Sequence, residues 1–346
     1  MKHQTTRYGE IPFYKIGTFG NTADAFISKK LFLEYKTKYS FPKKGDILIS
    51  ASGTIGRAVI YDGKPAYFQD SNIVWIDNDE TLVKNDFLFY AYSNVKWNTE
   101  HTTILRLYND NFRNTLIPIP PLNEQSAIAN ILSDLDRYLC TLDALILKKE
   151  GVKKALSFEL LSQRKRLKGF NQAWQRVRLG DIANYLTSNL SAEQITQQGE
   201  IKVYDVNNFI GYTDTTFISD KPYISIVKDG SVGRVRILPP KTNILSTMGA
   251  LIANHKTTTE FLFYLLSNFD FKNFTRGSVI PHIYFKDYKE KTIFLPPLNE
   301  QSAIASILSA LDNEIASLKN KKRQFENIKK ALNHDLMSAK IRVLKK

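Results

Sequence analysis

The chain has 346 residues, of which 43% are hydrophobic, and 48 Lys and Arg outnumber 34 Asp and Glu, giving a formal net charge of +14. This composition allows two domains with buried cores. The positive charge favours a polyanionic partner, nucleic acid before an anionic membrane surface, although a basic surface can also serve solubility alone. The single cysteine excludes an intrachain disulfide and a multi-cysteine metal site, which fits the cytoplasm, and no apolar run approaches the length of a membrane span.

The first part of the chain, up to residue 116, predicts a β-rich unit. Runs of β-branched and aromatic residues between turn residues predict strands at 46–50, 58–61 and 72–76, and FLFYAYSN predicts a helix at 87–94. The segment IPIPP that follows ends this unit, because proline is excluded from a helix interior.

A long helix is predicted to begin after these prolines, with Asn123 as its N-cap and Glu124 in its first turn. Its apolar residues are spaced alternately four and three apart, as in the seam of a coiled coil. Cys140 falls inside this stretch, and we expect it to be a small buried residue rather than a nucleophile. The seam comprises Ile128, Leu132, Leu135, Leu139, Leu142, Ile146, then Lys149 and Lys153 in the same register, then Leu156 and Leu160.

This helix start occurs twice. PPLNEQSAIANILSDLD at 120–136 returns as PPLNEQSAIASILSALD at 296–312, with 15 of 17 positions identical at an offset of 176 residues, so the chain is built twice from a domain and a helix. Each helix of about forty residues would be roughly 60 Å long, and a seam of that length needs a partner. We predict that the two helices pair antiparallel, the alternative being that each packs on its own domain. The second seam comprises Ile304, Leu308, Leu311, Ile315, Leu318, Lys322, Phe325, Lys329, Leu332 and Leu336.

The globular units match each other more weakly than the helices do. GTIGR at 53–57 corresponds to GSVGR at 230–234, and FLFYAYSN at 87–94 corresponds to FLFYLLSN at 261–268. Similar helices beside diverged globular units suit a protein that recognises an asymmetric target. The second unit opens with AWQRVRLGDIANYLTSNLS at 173–191, which has no counterpart in the first, so we expect the first unit to be truncated or the true start to lie upstream.

Common catalytic motifs are absent from the sequence. There is no HExxH pair for zinc and no GxxxxGK(S/T) loop for a nucleotide phosphate, and the five histidines are scattered. The PPLNE motifs lack the aromatic residue that an amino-methyltransferase motif would place there. We therefore predict that this chain alone catalyses nothing and binds no metal.

The two GxxGR loops are the first candidates for DNA contact. Glycine lets backbone N–H groups approach phosphate closely, and arginine can pair with phosphate or with guanine. The alternative is a tight turn with an exposed arginine, and each neighbouring basic residue can equally be a solvated surface charge. The candidate DNA-binding residues are Lys43, Lys44, Gly53, Thr54, Gly56, Arg57, Arg106, Arg113, Lys228, Gly230, Ser231, Gly233, Arg234, Arg236, Arg276, Ser278 and His282.

These motifs together resemble a known family. Two β-rich units, each closing on (I/L)PPLNEQ and a long helix, with KGDILIS, SGTIGR and WQRVRLGDIA in support, are similar to the DNA specificity (S) subunit of type I restriction–modification systems. The similarity covers essentially the whole chain. It implies an α+β fold in which two target-recognition domains each read half of a split DNA sequence, held apart by two long helices that form an antiparallel coiled coil and set the spacer.

The resemblance also implies the partners and the division of labour. Double-stranded DNA would be the ligand, and no membrane would be involved. The helices would dock two modification subunits, which carry S-adenosylmethionine and methylate adenine. Restriction subunits would add ATP- and Mg²⁺-dependent translocation and cleavage, so that this chain itself would need no cofactor.

Carried over to this chain, the resemblance gives domain boundaries. Target-recognition domain 1 would span 1–119 without its N-terminal segment, spacer helix 1 would span 120–168, domain 2 169–295 and spacer helix 2 296–346. The residues expected to form the spacer and the docking surface are Pro121, Asn123, Glu124, Gln125, Ile128, Leu132, Leu135, Pro297, Asn299, Glu300, Gln301, Ile304, Leu308 and Leu311.

Two other functions remain open from the sequence. The same scaffold could be a stand-alone DNA-binding regulator, which would bind DNA specifically without modification subunits. It could also be a truncated or silent specificity cassette. A structural coiled-coil adaptor with incidental basic charge would lack the steep salt dependence that several phosphate contacts impose on DNA binding.

Overall fold

The structure is a computed structural model, and it describes residues 4–68, 72–97 and 106–344. The chain divides into two compact units: unit 1 consists of residues 1–143 and 320–346, and unit 2 of residues 144–319. Within the described ranges, no helix combines the length and the apolar character needed to cross a membrane. The elements are β1 (Ile11–Tyr14), β2 (Phe26–Ile27), α1 (Lys29–Lys38), β3 (Ile47–Ser50), β4 (Ala58–Ile60), β5 (Tyr67–Phe68), β6 (Ile73–Ile76), α2 (Asn85–Asn94), α3 (Asn109–Arg113), α4 (Leu122–Leu161), β7 (Gln175–Arg178), β8 (Ala183–Thr187), β9 (Ile201–Tyr204), β10 (Phe209–Thr213), β11 (Tyr223–Val227), β12 (Val235–Leu238), β13 (Thr242–Ile244), β14 (Met248–Ala253), α5 (Thr259–Ser267), α6 (Phe285–Tyr288), β15 (Thr292–Leu295) and α7 (Leu298–Met337).

Unit 1 contains two three-stranded sheets, ordered β2-β1-β5 and β4-β3-β6. All four residues of β3 are buried, because the strand lies in the centre of its sheet and α2 packs against that sheet. The sequence predicted strands β3, β4 and β6 and helix α2, and the structure confirms these four elements. Their apolar side chains form one core with Ile128 and Leu132 of α4 and Leu336 of α7.

Unit 2 repeats these two sheets and extends them. The order β10-β9-β13 matches β2-β1-β5, including one antiparallel and one parallel pairing, and β12-β11-β14 matches β4-β3-β6. Unit 2 then adds β8 at the edge of β14 and a separate pair formed by β7 and β15. Strands β7 and β8, which form these additions with β15 and β14, both lie in the segment at 173–191, for which the sequence of the first unit has no counterpart.

The two long helices pair antiparallel within each unit, as the seam predicted. In unit 1, Lys322 of α7 binds Asp143 of α4 at 2.7 Å, and Tyr138 packs against Phe325 with ring centroids 4.7 Å apart. In unit 2, Lys149 of α4 binds Glu314 of α7 at 2.7 Å. The lysines that interrupt the apolar seam are therefore accommodated by acidic residues of the opposite helix, rather than left unpaired in it.

Two details of the helix predictions are wrong. Helix α4 begins at Leu122, so Asn123 lies in the first turn, where its side chain accepts a hydrogen bond from the Glu124 N–H at 2.9 Å, and it is not the N-cap. The prolines that precede the helix leave fewer N–H groups for a cap to satisfy. Cys140 is exposed, because it follows the seam residue Leu139 by one position and a step of one residue turns a side chain about 100° around the helix.

Candidate nucleic-acid interface

The first GxxGR motif forms the hairpin loop between β3 and β4, residues 51–57, which we call loop 1. Gly53 and Gly56 have φ angles of 67° and 78°, in the left-handed region that favours glycine. A Cβ atom at Gly56 would lie 2.3 Å from the indole nitrogen of Trp97, so this position also requires glycine for space. The exposed Arg57 donates to the carbonyl oxygen of Phe19 at 2.9 Å, which fixes its direction.

The second motif forms the equivalent loop 2, residues 228–234, between β11 and β12. Gly230 and Gly233 have φ angles of 83° and 81°. A Cβ atom at Gly233 would lie 2.6 Å from the ring of Phe271, whereas one at Gly230 would meet nothing within 4 Å. The second glycine of each motif therefore packs against an aromatic ring, whereas the first is less crowded: a Cβ atom at Gly53 would make an ordinary contact with Ile16 at 3.4 Å, and Gly230 opens onto free space.

Each loop is bound to a second segment that is distant in sequence. In unit 2, the Gly230 N–H donates to the Pro281 carbonyl at 2.8 Å, and the Ile283 N–H donates to the Lys228 carbonyl at 2.9 Å. In unit 1, the Leu107 N–H donates to the Ala51 carbonyl at 2.8 Å, and Ser52 forms a β-bridge with Arg106. The same arrangement is built twice, and it brings most of the predicted DNA-binding residues of each unit onto one surface.

The segment at 276–284, which we call the rim segment, carries the second group of predicted residues of unit 2. Its ends are tied together, because the Arg276 N–H donates to the His282 carbonyl at 2.9 Å and the reverse bond is 2.8 Å. The Arg276 guanidinium binds Asp287 at 3.0 Å. Ser278 lies on the exposed tip of the segment between these bonds.

Sequence reasoning missed the exposed apolar and aromatic residues of this rim segment. The side chains of Val279 and Ile280 are 90% and 64% exposed at its tip, and Tyr284 is 46% exposed and packs edge-on against His282. Isolated exposed apolar residues are common, but two adjacent ones beside a basic loop are suited to contact with base edges or methyl groups. The dipeptide VI within RGSVIPH was the available signal.

Not all of the predicted residues join these surfaces. Lys43 and Lys44 precede β3, whereas loop 1 follows it, so the strand separates them from the loop. Lys43 binds Asp77 at 3.1 Å, and this hydrogen bond raises the pKa of the Lys43 ammonium group. Arg236 lies within β12, donates to the Asn207 carbonyl at 3.0 Å and covers the ring of Tyr204.

Among the predicted helix-start residues, the two glutamines point into their own units, whereas Pro121, Asn123 and Asn299 are exposed. Gln125 is fully buried, donates to the carbonyls of Leu82 and Pro120, and accepts from the Lys84 N–H at 2.7 Å. Gln301 repeats this pattern with the carbonyls of Lys256 and Pro296 and with the Thr258 N–H. Each glutamine therefore ties the loop before a globular-domain helix (α2 or α5) to the start of a long helix. The remaining predicted helix residues Ile128, Leu132, Ile304 and Leu308 are buried, Leu135 and Leu311 are half-buried, and Pro121, Asn123, Pro297 and Asn299 border the first turns.

The glutamates beside these glutamines have buried carboxylates, each of which forms an ion pair with a partly exposed arginine. The Glu124 carboxylate accepts from Arg342 at 2.5 to 2.9 Å, and the arginine lowers the pKa of this carboxyl group. Glu300 accepts from Arg166 at 2.6 Å and also from the indole N–H of Trp174 at 3.0 Å. These contacts fasten the segment that follows each long helix to the start of the other long helix.

A second repeated cluster links each globular part to both helices. The Tyr264 hydroxyl donates to Asp312 of α7 at 2.9 Å, and Asp312 also binds Lys153 of α4. Unit 1 has the same cluster, in which Tyr90 donates to Asp136 at 2.8 Å and Asp136 binds Lys329. Burial, and then the neighbouring carboxylate, raise the pKa of both phenols. The repeated seam lysines signalled these clusters in the sequence, but their partners were not predicted.

The comparisons with known proteins identify the family of this chain. A family model described as the type I restriction modification DNA specificity domain matches residues 1–149 and 171–327. The chain belongs to this family.

Two similar proteins support the membership, and a solved structure shows the same fold. A Haemophilus influenzae protein named as a type I restriction enzyme specificity subunit is 64% identical over 137 residues, which cover 39% of this chain and 36% of that protein. The type I restriction enzyme MjaVIII specificity subunit of Methanocaldococcus jannaschii is 25% identical over 362 residues, covering 92% of this chain and 84% of that protein. The crystal structure of a type I restriction–modification S subunit from M. genitalium shares the fold with a TM-score of 0.63 at 20% identity, covering 97% of this chain and 91% of that one.

Membership of the specificity family confirms the resemblance that the repeated helix start indicated. The α+β fold with paired long helices is confirmed as well. Within the described part of the chain, no three His, Cys, Asp or Glu side chains are grouped as the ligands of a metal ion would be. The individual DNA-contacting residues stay predictions.

Proposed function

We propose that this chain is the DNA sequence-recognition subunit of a type I restriction–modification complex, and that each unit reads one half of a split DNA site. The observation that carries the proposal is the repeated surface formed by a GxxGR loop and a second, hydrogen-bonded segment. The scaffold of this surface is alike in the two units, while its side chains differ. Exposed Thr54 of loop 1 corresponds to exposed Ser231 of loop 2, and partly buried Arg106 stands in the place of partly buried His282.

The loops favour recognition through side chains over recognition through the backbone. The N–H groups of Gly56 and Gly233 donate to Ser50 and Val227 within their own hairpins, and that of Gly230 donates to Pro281. Arg234 is exposed at the end of loop 2 and has no ion pair among the described residues. Its guanidinium is therefore available to pair with a phosphate or with guanine, and Lys228 adds positive charge beside it.

The boundaries and roles of the domains extend this proposal. We place the target-recognition domains at 1–119 and 169–295, and we assign the long helices the tasks of setting the spacer and docking two modification subunits. Because the glutamates and glutamines of the helix starts are buried, docking would use the exposed helix-start residues Pro121, Asn123 and Asn299. Exposed apolar residues of α4 would add to this surface; Leu147, Val152 and Phe158 are 71%, 45% and 52% exposed. Exposed apolar groups on an otherwise polar helix suit burial by a partner.

The chemistry of the complex would lie in its other subunits. S-adenosylmethionine would bind the modification subunits, ATP and Mg²⁺ would serve the restriction subunits, and the complex would act on double-stranded DNA in the cytoplasm. This chain would contribute affinity, through phosphate contacts of its basic surface, and sequence choice, through groove contacts of the two loop surfaces. It would take no catalytic part itself.

The proposal is tested by sequencing adenine methylation in cells that express this chain together with a cognate modification subunit. A split motif should be methylated, and Arg234→Gln should relax or abolish one half of it while the other half stays unchanged. Lys241→Gln is the matched control, since Lys241 is an exposed basic residue of unit 2 beyond the far end of β12 and should leave the motif intact. Methylation at a continuous motif, or equal effects of the two variants, would contradict the proposal.

A further inference from the structure

The rim segment of unit 2 presents two adjacent apolar side chains to solvent. Val279 and Ile280 are 90% and 64% exposed. Their methyl groups can neither pair with a phosphate nor donate or accept a hydrogen bond. Loop 2, which carries the exposed Arg234, is bonded directly to this segment, because the Gly230 N–H donates to the Pro281 carbonyl at 2.8 Å. An apolar tip therefore stands beside the basic loop of the proposed DNA interface.

Several contacts fix the backbone of this tip. Arg276 and His282 are joined in a β-bridge across its base. Gly277 has a φ angle of 86°, and a Cβ atom there would lie 2.4 Å from the Ile280 carbonyl oxygen, so the turn requires glycine. The Nδ1 atom of His282 donates to the same carbonyl at 3.3 Å. Val279 and Ile280 are β-branched and therefore stiff at χ1, so their methyl groups are held in nearly fixed positions.

The width of the rim segment decides which groove of DNA it can enter. Because its two arms are paired through Arg276 and His282, the segment is a short two-stranded ribbon closed by its tip. The major groove of B-DNA is about 12 Å wide and admits a two-stranded ribbon, whereas the minor groove is only about 6 Å wide. The tip is therefore suited to the major groove. The apolar group that bases present there is the C5-methyl group of thymine.

Insertion between base pairs is the other way in which apolar side chains meet DNA. The side chains used as wedges are Phe, Leu, Ile, Met and Pro, and their insertion requires that the duplex be unstacked and kinked. Val279 is the more exposed residue of the pair, and its side chain ends at Cγ, which is too short to reach between bases. Contact with a thymine methyl group requires no unstacking. The tip therefore favours methyl contact over a wedge.

We propose that Val279 and Ile280 read the C5-methyl group of a thymine in the half-site that unit 2 recognises. This inference rests on the proposed recognition of DNA by unit 2, and it names one chemical group that the unit selects. Cytosine has no methyl group at C5, so thymine would be the preferred pyrimidine at this position. At the offset of 176, the sequence places Thr103 and Ile104, which lie outside the described residues, at the corresponding positions of the first unit.

Replacement of single thymines by deoxyuridine tests the proposal, because uracil differs from thymine only in the missing methyl group. The chain is assembled with a co-expressed modification subunit, and Kd is measured by fluorescence anisotropy on duplexes that carry the split motif found by methylation sequencing. The half-site that Arg234→Gln alters is the one read by unit 2. One uracil within it should raise Kd about fourfold, which is the effect of losing one buried methyl group.

A double variant connects this effect to the tip. Val279→Ser combined with Ile280→Ser should bind the thymine duplex more weakly than the wild type does, and the uracil should then raise Kd no further. Both side chains are exposed, so the variant should fold. Phe294→Ala is the matched control, since Phe294 is an exposed apolar residue of unit 2 on β15, outside the rim segment, and this variant should keep the fourfold effect. Uracils in the other half-site should act alike on all three proteins.

The outcomes separate this proposal from the proposed function. Sequence-specific binding in which no uracil of that half-site raises Kd would overturn the reading of a methyl group and leave the proposed function in place. A uracil effect that persists in the double variant would also overturn it, because other residues would then contact the methyl group. Absence of any sequence-specific binding by the wild-type assembly would contradict both proposals.

Discussion

Alanine substitutions at the two glycines of loop 2 separate a structural role from a role in DNA contact. Both residues have positive φ, so alanine at either position costs about 1 kcal/mol of backbone strain. At Gly233 the added methyl also meets the ring of Phe271 at 2.6 Å, and Phe271 is 6% exposed within the core of unit 2. Such overpacking adds about 2 kcal/mol, whereas Gly230 opens onto free space.

Thermal unfolding measures this difference. For a unit of this size, 1 kcal/mol corresponds to roughly 2–4 °C in the Tm, so Gly230→Ala should lower the Tm of unit 2 by roughly 2–4 °C and Gly233→Ala by roughly 6–12 °C. Gly56→Ala should repeat the larger effect in unit 1, because its methyl would meet Trp97 at 2.3 Å. Differential scanning calorimetry resolves these shifts, and circular dichroism checks that the variants fold.

DNA affinity measured below the lowest Tm completes the experiment. If the first glycine faces DNA, Gly230→Ala should weaken binding more than Gly233→Ala does, although it is the less destabilising change. Equal losses of Tm at the two positions, or a larger loss at Gly230, would refute the packing argument. Unchanged affinity in Gly230→Ala would remove this glycine from the proposed interface.

Two further predictions concern contacts within the units, and a third concerns DNA binding by Arg234. Tyr264→Phe removes the hydroxyl that donates to Asp312, and Tyr90→Phe removes the one that donates to Asp136. Each substitution should lower the free energy of unfolding, measured by urea titration, by about 1 kcal/mol. An unchanged free energy of unfolding in both variants would contradict a stabilising role of these hydrogen bonds. The Glu124–Arg342 ion pair stabilises unit 1 at pH values above 4.5, the ordinary pKa of the carboxyl group, and this stabilisation is lost as the pH falls through the lowered pKa of Glu124. The Tm difference between the wild type and Glu124→Gln should therefore shrink on acidification. A Tm difference that does not depend on pH would refute the assignment. If Arg234 contacts a phosphate, Arg234→Gln should lower the slope of log K for DNA binding against log salt concentration by about one unit. The control variant Lys241→Gln should leave this slope unchanged.

Features that repeat locally along the chain could be predicted from the sequence. The spacing of Ile128, Leu132 and Leu142 specified the buried face of α4, and all three residues are buried. The alternation of turn residues and β-branched runs located β3, β4 and β6. Both signals succeed because each depends on residues a few positions apart, whose side chains must share one face of a helix or a strand.

Features that depend on contacts between distant residues could not be predicted. The bond between Gly230 and Pro281 joins residues 51 positions apart in sequence, and nothing in either motif specified the other. The burial of Gln125 and Gln301 was also missed, because a polar residue in the first turn of a helix is ordinarily exposed. Cys140 was placed inside the seam because a whole stretch was treated as buried, although its own position turns it to solvent.

The central claim is that the two units read separate halves of one DNA site, and selection of binding sequences from a random duplex library tests it most directly. This chain, assembled with a co-expressed modification subunit, should enrich two short blocks at a fixed spacing. Arg234→Gln should alter one block, Arg106→Gln should alter the other, and neither should change the spacing. Enrichment of one continuous block, or binding without sequence preference at physiological salt, would contradict the account.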